Sequence, residues 1–290
     1  MWEAIIMAVF YNQATLSYND NVINSNIVSG EIVEVLDAAK TSTPDTYSVG
    51  EENTYIVSIV NSGTAPFTGL TITDNLGEYS FGAGSLVPLT YVENSLRYFV
   101  NGVLQPVPTV TNVSPLVVTG ISVPAGGNAV VIYEARANQY APEGTGGVIT
   151  NTAVISGGGL SEPITAESTI EADTALNLSI TKSVTPETVA ENGQLTYTFV
   201  IQNTGAVPAA VSDNLTITDT FDPVLDITSV TLNGDVISET TEYTYDETTG
   251  AFATVPGIIT VPAATYTQDP ATGAWIITPG TAVVRVTGNI

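Results

Sequence analysis

An all-β chain of two tandem immunoglobulin-like β-sandwiches, preceded by a donor β-hairpin, is the architecture this sequence predicts, and three observations predict it. Apolar and polar residues alternate in stretch after stretch, as in LTYTFVIQ (Leu195 to Gln202), which is the period of a strand with one buried face. Clusters such as Pro124 to Gly127 punctuate these stretches, and no window carries the period of an amphipathic helix. The chain also matches itself once, and 290 residues suffice for two domains with cores of their own.

Met1 to Val9 reads as an N-terminal extension: an added edge strand, a plug at a subunit junction, or in part a misassigned start, since Met7 is a second candidate initiator. Its apolar run is short and Glu3 stands where a secretory signal would be positive, so neither a signal peptide nor a membrane span is expected. Residues 10–35 read as a hairpin of two strands, YNQATLSY (Tyr11 to Tyr18) and NIVSGEIVEV (Asn26 to Val35).

Residues 36–172 form the first repeat and residues 173–290 the second. LDAAK (Leu36 to Lys40) matches LSITK (Leu178 to Lys182), and NTYIVSIVNSG (Asn53 to Gly63) matches LTYTFVIQNTG (Leu195 to Gly205). LTITDNL (Leu70 to Leu76) matches LTITDTF (Leu215 to Phe221), and Ala129 to Asn138 matches Ala282 to Asn289. Asp246 to Gly250 and Asp269 to Gly273 have the DxxxG form of tight hairpins.

The first repeat then adds a closing hairpin, ITNTAVIS (Ile149 to Ser156) and EPITAESTIEA (Glu162 to Ala172), for which the second has no counterpart. The hairpin at the front of the chain has the matching pattern: Asn12, Ala14 and Leu16 fall on Asn151, Ala153 and Ile155, while Ile27 and Val33 fall on Ile164 and Ile170. A sandwich short of two strands exposes unpaired backbone and an open core, and a hairpin of the right pattern repairs both. The link from hairpin to first repeat, Val35 to Lys40, reaches roughly 17 Å when extended, too short to carry the hairpin past a whole sandwich. The expectation is closure in trans, head to tail, with Asn12, Ala14, Leu16, Ile27 and Val33 meeting Ala282, Val284 and Val286 of the next copy.

The ordered set TKxxxP, LTYTFVIQNTG, LTITDTF and a TNTAxxS hairpin resembles the conserved repeat domain of unknown function, family eleven, of bacterial surface proteins, over nearly the whole chain. The resemblance implies an Ig-like fold and a cell-surface or fibrous setting, and supplies no activity.

Composition narrows the function classes. Lys and Arg number 5 against 29 Asp and Glu, a net charge of -24, which repels phosphate backbones and anionic lipid and argues against nucleic-acid and membrane partners. Cysteine and histidine are absent, which removes thiolate nucleophiles, disulfides, imidazole bases and the usual zinc ligands. No loop has the dense acidic spacing of a calcium site; Asn19 to Asn21 and Asp246 with Glu247 read as turns, so no metal and no cofactor is expected. The sequons at Asn112 and Asn214 carry no claim, and neither do the scattered Arg97, Arg136 and Arg285.

The two lysines, Lys40 and Lys182, occupy the same place in the two repeats. Alternation puts Lys40 on the face of Leu36 and Ala38, Asp74 on that of Leu70 and Ile72, and Asn151 on that of Ala153 and Ile155. Lys182, Asp219 and Asn12 share the pattern. An inward lysine must be paired, neutralised or consumed chemically. The arrangement resembles the isopeptide triads of Gram-positive pilins and adhesins, which implies a Lys40–Asn151 bond assisted by Asp74 within the chain and a Lys182–Asn12 bond assisted by Asp219 between chains. A buried Lys–Asp ion pair supported by Asn is the alternative.

The function expected is a non-enzymatic structural subunit of an extracellular, cell-surface or spore-surface filament, partnered by copies of itself. The alternative is a monomeric surface adhesin or stalk whose loops bind a host glycan or protein.

Overall fold

The structure, a computed structural model, describes residues 6–290, with side chains from Val9 onward except Ile32. Most of the expected N-terminal extension, Met1 to Ile5, lies outside the described residues; its remainder enters the first strand. Strands and one 3₁₀ turn make up the described secondary structure. The chain divides into two compact units, residues up to Asn138 with Ile149–Ile170, and Gln139–Val148 with Glu171–Ile290.

The chain opens with a hairpin of four strands, β1 (Ile6–Asn12), β2 (Thr15–Tyr18), β3 (Asn21–Asn24) and β4 (Val28–Val33). Among the described residues β1 pairs only with β4 and β2 only with β3. Asn19 and Asp20, both at positive φ, make the two-residue turn whose twist suits a hairpin. Ser25 stitches the joint between the two halves: its N–H donates to the Ala14 carbonyl at 2.8 Å, and its hydroxyl accepts from Ala14 N–H at 2.9 Å.

The first repeat runs through β5 (Leu36–Thr43), β6 (Thr46–Tyr47), β7 (Glu52–Asn61), β8 (Phe67–Asp74), β9 (Tyr79–Phe81), β10 (Gly84–Leu86), β11 (Leu89–Tyr91) and β12 (Arg97–Val100). It continues with β13 (Val103–Gln105), β14 (Thr109–Val113), β15 (Leu116–Val123), β16 (Asn128–Ala137), β17 (Val148–Gly157) and β18 (Ile164–Ala172). One sheet has the order β13-β12-β16-β7-β5, with β11 also on β16, and the other β14-β15-β8-β17-β18-β6. Inward residues alternate along each strand: Tyr55, Val57 and Ile59 from β7 face the same core as Leu70 and Ile72 from β8 and Ala153 and Ile155 from β17. The sequence pattern suggests about seven strands per sandwich; the extra ones are pieces such as β9, β10 and β13, three residues each, too short to establish a period.

The second repeat runs through β19 (Leu178–Thr185), β20 (Gln194–Asn203), a 3₁₀ turn (Val211–Asp213), β21 (Thr218–Thr220), β22 (Asp226–Leu232) and β23 (Asp235–Val236). It ends with β24 (Tyr243–Asp246), β25 (Ala251–Thr254), β26 (Thr265–Gln268), β27 (Trp275–Thr278) and β28 (Gly280–Asn289). Its large sheet is β19-β20-β28-β22-β23, while the facing sheet holds three strands, β21-β25-β24. Both DxxxG turns close as hairpins, Gly250 N–H to Asp246 C=O and Gly273 N–H to Asp269 C=O at 2.8 Å each.

The repeats share a buried asparagine clamp. Asn61 donates to the Ala65 and Pro124 carbonyls and Asn203 to those of Val207 and Pro262, while each Oδ1 accepts from the glycine two residues on. Each clamp satisfies loop backbone that water cannot reach.

Candidate functional site: a sealed polar cluster and an open groove

In the first repeat β17 lies along β8 with Ala153 opposite Asp74 and Ile155 opposite Ile72, and β18 follows beside it. This pair of strands closes the core over Lys40, Asp74 and Asn151, all buried. Lys40 Nζ donates to Asp74 Oδ2 at 2.7 Å, and the Tyr133 hydroxyl donates to the same oxygen at 2.5 Å. Asp74 Oδ1 accepts from Leu76 N–H at 3.0 Å. Asn151 Nδ2 donates to the Tyr133 oxygen at 3.1 Å, whereas Asn151 Oδ1 has no hydrogen-bond partner. Lys40 also sits over the Tyr55 ring, 5.1 Å from its centre, and Tyr55 stacks on Tyr133 at 5.5 Å.

Burial is the dominant electrostatic influence here. It draws the Lys40 ammonium down to about 8 although Asp74 and Glu167 pull it upward, because desolvation penalises the charged form. It also pushes the phenols of Tyr55 and Tyr133 well up, with the Asp74 charge adding to the effect.

Tyr133 was not among the residues expected from sequence. It comes from β16, and the register opposes it to Tyr55 as β28 opposes Val286 to Tyr197. A search for polar residues repeated in both copies passes over it, since Val286 stands in its place.

The second repeat has the same strands without the closing pair. Among the described residues β21 pairs with β25 on one side and with no strand on the other, leaving open the edge that β17 occupies on β8. The inner face of β19 is uncovered: Leu178 and Ile180 line a groove with Ile201, Leu215, Ile217 and Ile259. Ile180 is 55 % exposed. Lys182 forms an ion pair with Asp219 and lies over Tyr197, 4.5 Å from the ring centre, with Phe199 and Phe221 each at 5.5 Å. It thus faces the core side as expected, yet its side chain is 41 % exposed, because among the described residues no strand covers β19.

The other expected interface residues divide. Asn12, Ala14, Leu16 and Ile27 are exposed on the front hairpin, Leu16 at 63 %, and Val33 is exposed at the end of β4. The cross-strand register sets Val28 opposite Asn12 and Ile23 opposite Leu16, so Ile27 lies between β3 and β4 and outside that pairing, while Val33 pairs with Ile6 and Gly30, opposite Phe10, takes the place expected for Val33. Ala282, Val284 and Val286 are fully buried, and β28 is flanked by β20 and β22. They line the interior of the repeat and not its exposed surface. The last strand in the chain sits mid-sheet, as β16 does in the first repeat, and the exposed apolar row belongs to β19 and β21.

Among the described residues no acidic cluster has the form of a metal site, and no helix is long and apolar enough to cross a membrane.

No family model and no curated protein matches the chain, so the resemblance to repeat family eleven has no family match behind it. Among solved structures, the full-length RrgB pilus protein of Streptococcus pneumoniae is similar at 13 % identity over 96 % of this chain and 46 % of its own, TM-score 0.36. A C-terminal fragment of the major pilin GBS80 of Streptococcus agalactiae is similar at 15 % identity over 85 % and 91 %, TM-score 0.33. A family 123 glycoside hydrolase from Clostridium perfringens is similar at 12 % identity over 48 % and 27 %, TM-score 0.30. The chain thus spans about half of the RrgB protein and about a quarter of the hydrolase. Likenesses this distant carry no argument about activity.

Proposed function

We propose that the protein is a structural subunit that polymerises head to tail, the front hairpin β1–β4 of one copy filling the groove in the second repeat of the next. The observation that carries this reading is the groove itself. It lies where the first repeat holds β17 and β18, and the same chain carries an exposed hairpin with the pattern of those two strands. Docking buries apolar side chains on both partners and pairs the free edge of β21.

The hairpin is tethered to β5 by Glu34 and Val35 alone, about 7 Å of extended chain. That tether favours a second copy over closure onto the same chain. A contact between two different surfaces that does not close into a ring propagates as a filament. A bacterial surface setting fits such a filament, with the acidic net charge keeping it soluble.

The lysine sites fit a covalent lock on this assembly. The seated hairpin brings Asn12 to Lys182 and Asp219 as β17 brings Asn151 to the Lys40–Asp74 pair. The desolvated, neutral lysine amine attacks the asparagine side-chain carbonyl carbon, the new C–N bond replaces the bond to Nδ2, and Nδ2 leaves as ammonia with the lysine's proton, relayed by the aspartate. In the first repeat, the unpartnered Asn151 carbonyl oxygen and the lowered Lys40 support the same step within the chain.

Deleting residues 1–33 tests the reading. By electron microscopy the full chain is expected to form filaments and the truncated chain none; filaments of the truncated chain would overturn it.

A further inference from the structure

Phe10 and Gly30 face each other across the front hairpin. A Cβ on Gly30 would lie 2.4 Å from the Phe10 ring, so the ring lies directly over the glycine. The backbone of Gly30 does not demand glycine, since its φ is not positive. Glycine is required there to make room for the ring. Phe10 is 52 % exposed, an aromatic side chain without a core to enter.

The closing hairpin of the first repeat shows what belongs in this place. The Ala172 N–H donates to the Gly147 carbonyl at 2.8 Å, and the Thr150 and Thr169 hydroxyls meet at 3.2 Å. Together they set Ile149 opposite Ile170 and Asn151 opposite Ser168. With Asn12 in the position of Asn151, Phe10 takes that of Ile149. The pairing of Asn12 with Val28 and Phe10 with Gly30 then gives Gly30 the position of Ile170. Both isoleucines are fully buried.

Resting on the donor-hairpin reading, we infer that the Phe10–Gly30 pair is the anchor of assembly, with the Phe10 ring filling in the neighbour's second repeat the space that Ile149 and Ile170 share in the first. One large and one absent side chain replace two of middle size, a similar volume of carbon arranged from one strand. Near the end of the groove that receives the ring the second repeat exchanges side chains, Val286 standing in the place of Tyr133. Phe221 stands in the place of Leu76 and stacks on Tyr197 at 5.0 Å. The two hairpins are thereby matched to different repeats, which discourages exchange of β17 and β18 between copies.

The test uses the full chain and reads the threshold concentration for filament formation by sedimentation. F10A is expected to raise it roughly tenfold or more, as loss of a buried aromatic anchor does. G30I alone is expected to do the same, because its side chain collides with the ring. The double variant F10I/G30I rebuilds the isoleucine pair and is expected to recover assembly to within a few-fold of wild type. F10A assembling like wild type, or F10I/G30I no better than G30I, would overturn the anchor. A wild-type chain that forms no filament would overturn the donor reading itself, which keeps the two failures distinct.

Discussion

The hydroxyl of Tyr133 donates to Asp74 at 2.5 Å and accepts from Asn151 at 3.1 Å, tying the aspartate and asparagine of the sealed cluster to one group. Tyr133→Phe is expected to destabilise the first repeat by about 1–3 kcal/mol, the cost of leaving buried polar atoms unsatisfied. Chemical denaturation checks this. The second repeat carries Val286 at this position and is expected to keep its own transition unchanged.

Lys40 predicts a pH dependence whose sign follows from its lowered value. The unfolded chain keeps this proton up to the ordinary lysine value, while the folded chain releases it near 8, so the unfolded state binds more protons between about 8 and 10. If Lys40 is a free amine, stability rises with pH across that window; the comparison is wild type minus Lys40→Met. Above about 10 the raised phenols of Tyr55 and Tyr133 act in the opposite sense. A lysine consumed in an amide has no proton to exchange, and the difference curve is then flat.

Intact mass separates the covalent and ionic versions of the cluster. The wild-type monomer is expected to be lighter than its sequence by one ammonia and Asn151→Ala to match its sequence. Wild-type filaments are expected to leave a ladder in boiling detergent, which Asn12→Ala abolishes while filaments still form.

How much of this was legible beforehand depends on what each residue's neighbours repeat. Alternation alone puts Lys40, Asp74 and Asn151 on inward faces, and all three are buried. The exposure of Lys182 goes with the closing pair that the second repeat lacks, a shortfall the repeat comparison already shows. Ala282, Val284 and Val286 were expected at the interface, yet hydrogen bonding seats β28 between two strands with all three side chains buried, and strand order in a sheet is a non-local property. Val28 and Ile23 escaped notice because the joint at Ser25 shifts the register by one residue, which moves every side chain to the other face.

Ile180 offers a probe of the groove that spares the free subunit. It is more than half exposed there, so Ile180→Asp is expected to leave the monomer's thermal transition within about 0.5 kcal/mol. Assembly is expected to fall at least tenfold, since a charge without a partner would be buried under the docked hairpin. A thermal melt reads the first quantity and sedimentation velocity the second.

Absence of cysteine from the chain permits the most direct test of closure in trans. In the first repeat Val154 lies opposite Thr73, and the corresponding positions in the assembled pair are Thr15 of the donor and Thr218 of the acceptor. Directly opposed strand residues fall within disulfide range, about 4.4–6.8 Å between Cα atoms. The chain carrying Thr15→Cys and Thr218→Cys together is expected to give a reducible ladder of multimers on a non-reducing gel. A single band of internally bridged monomer, or no disulfide at all, would contradict the account.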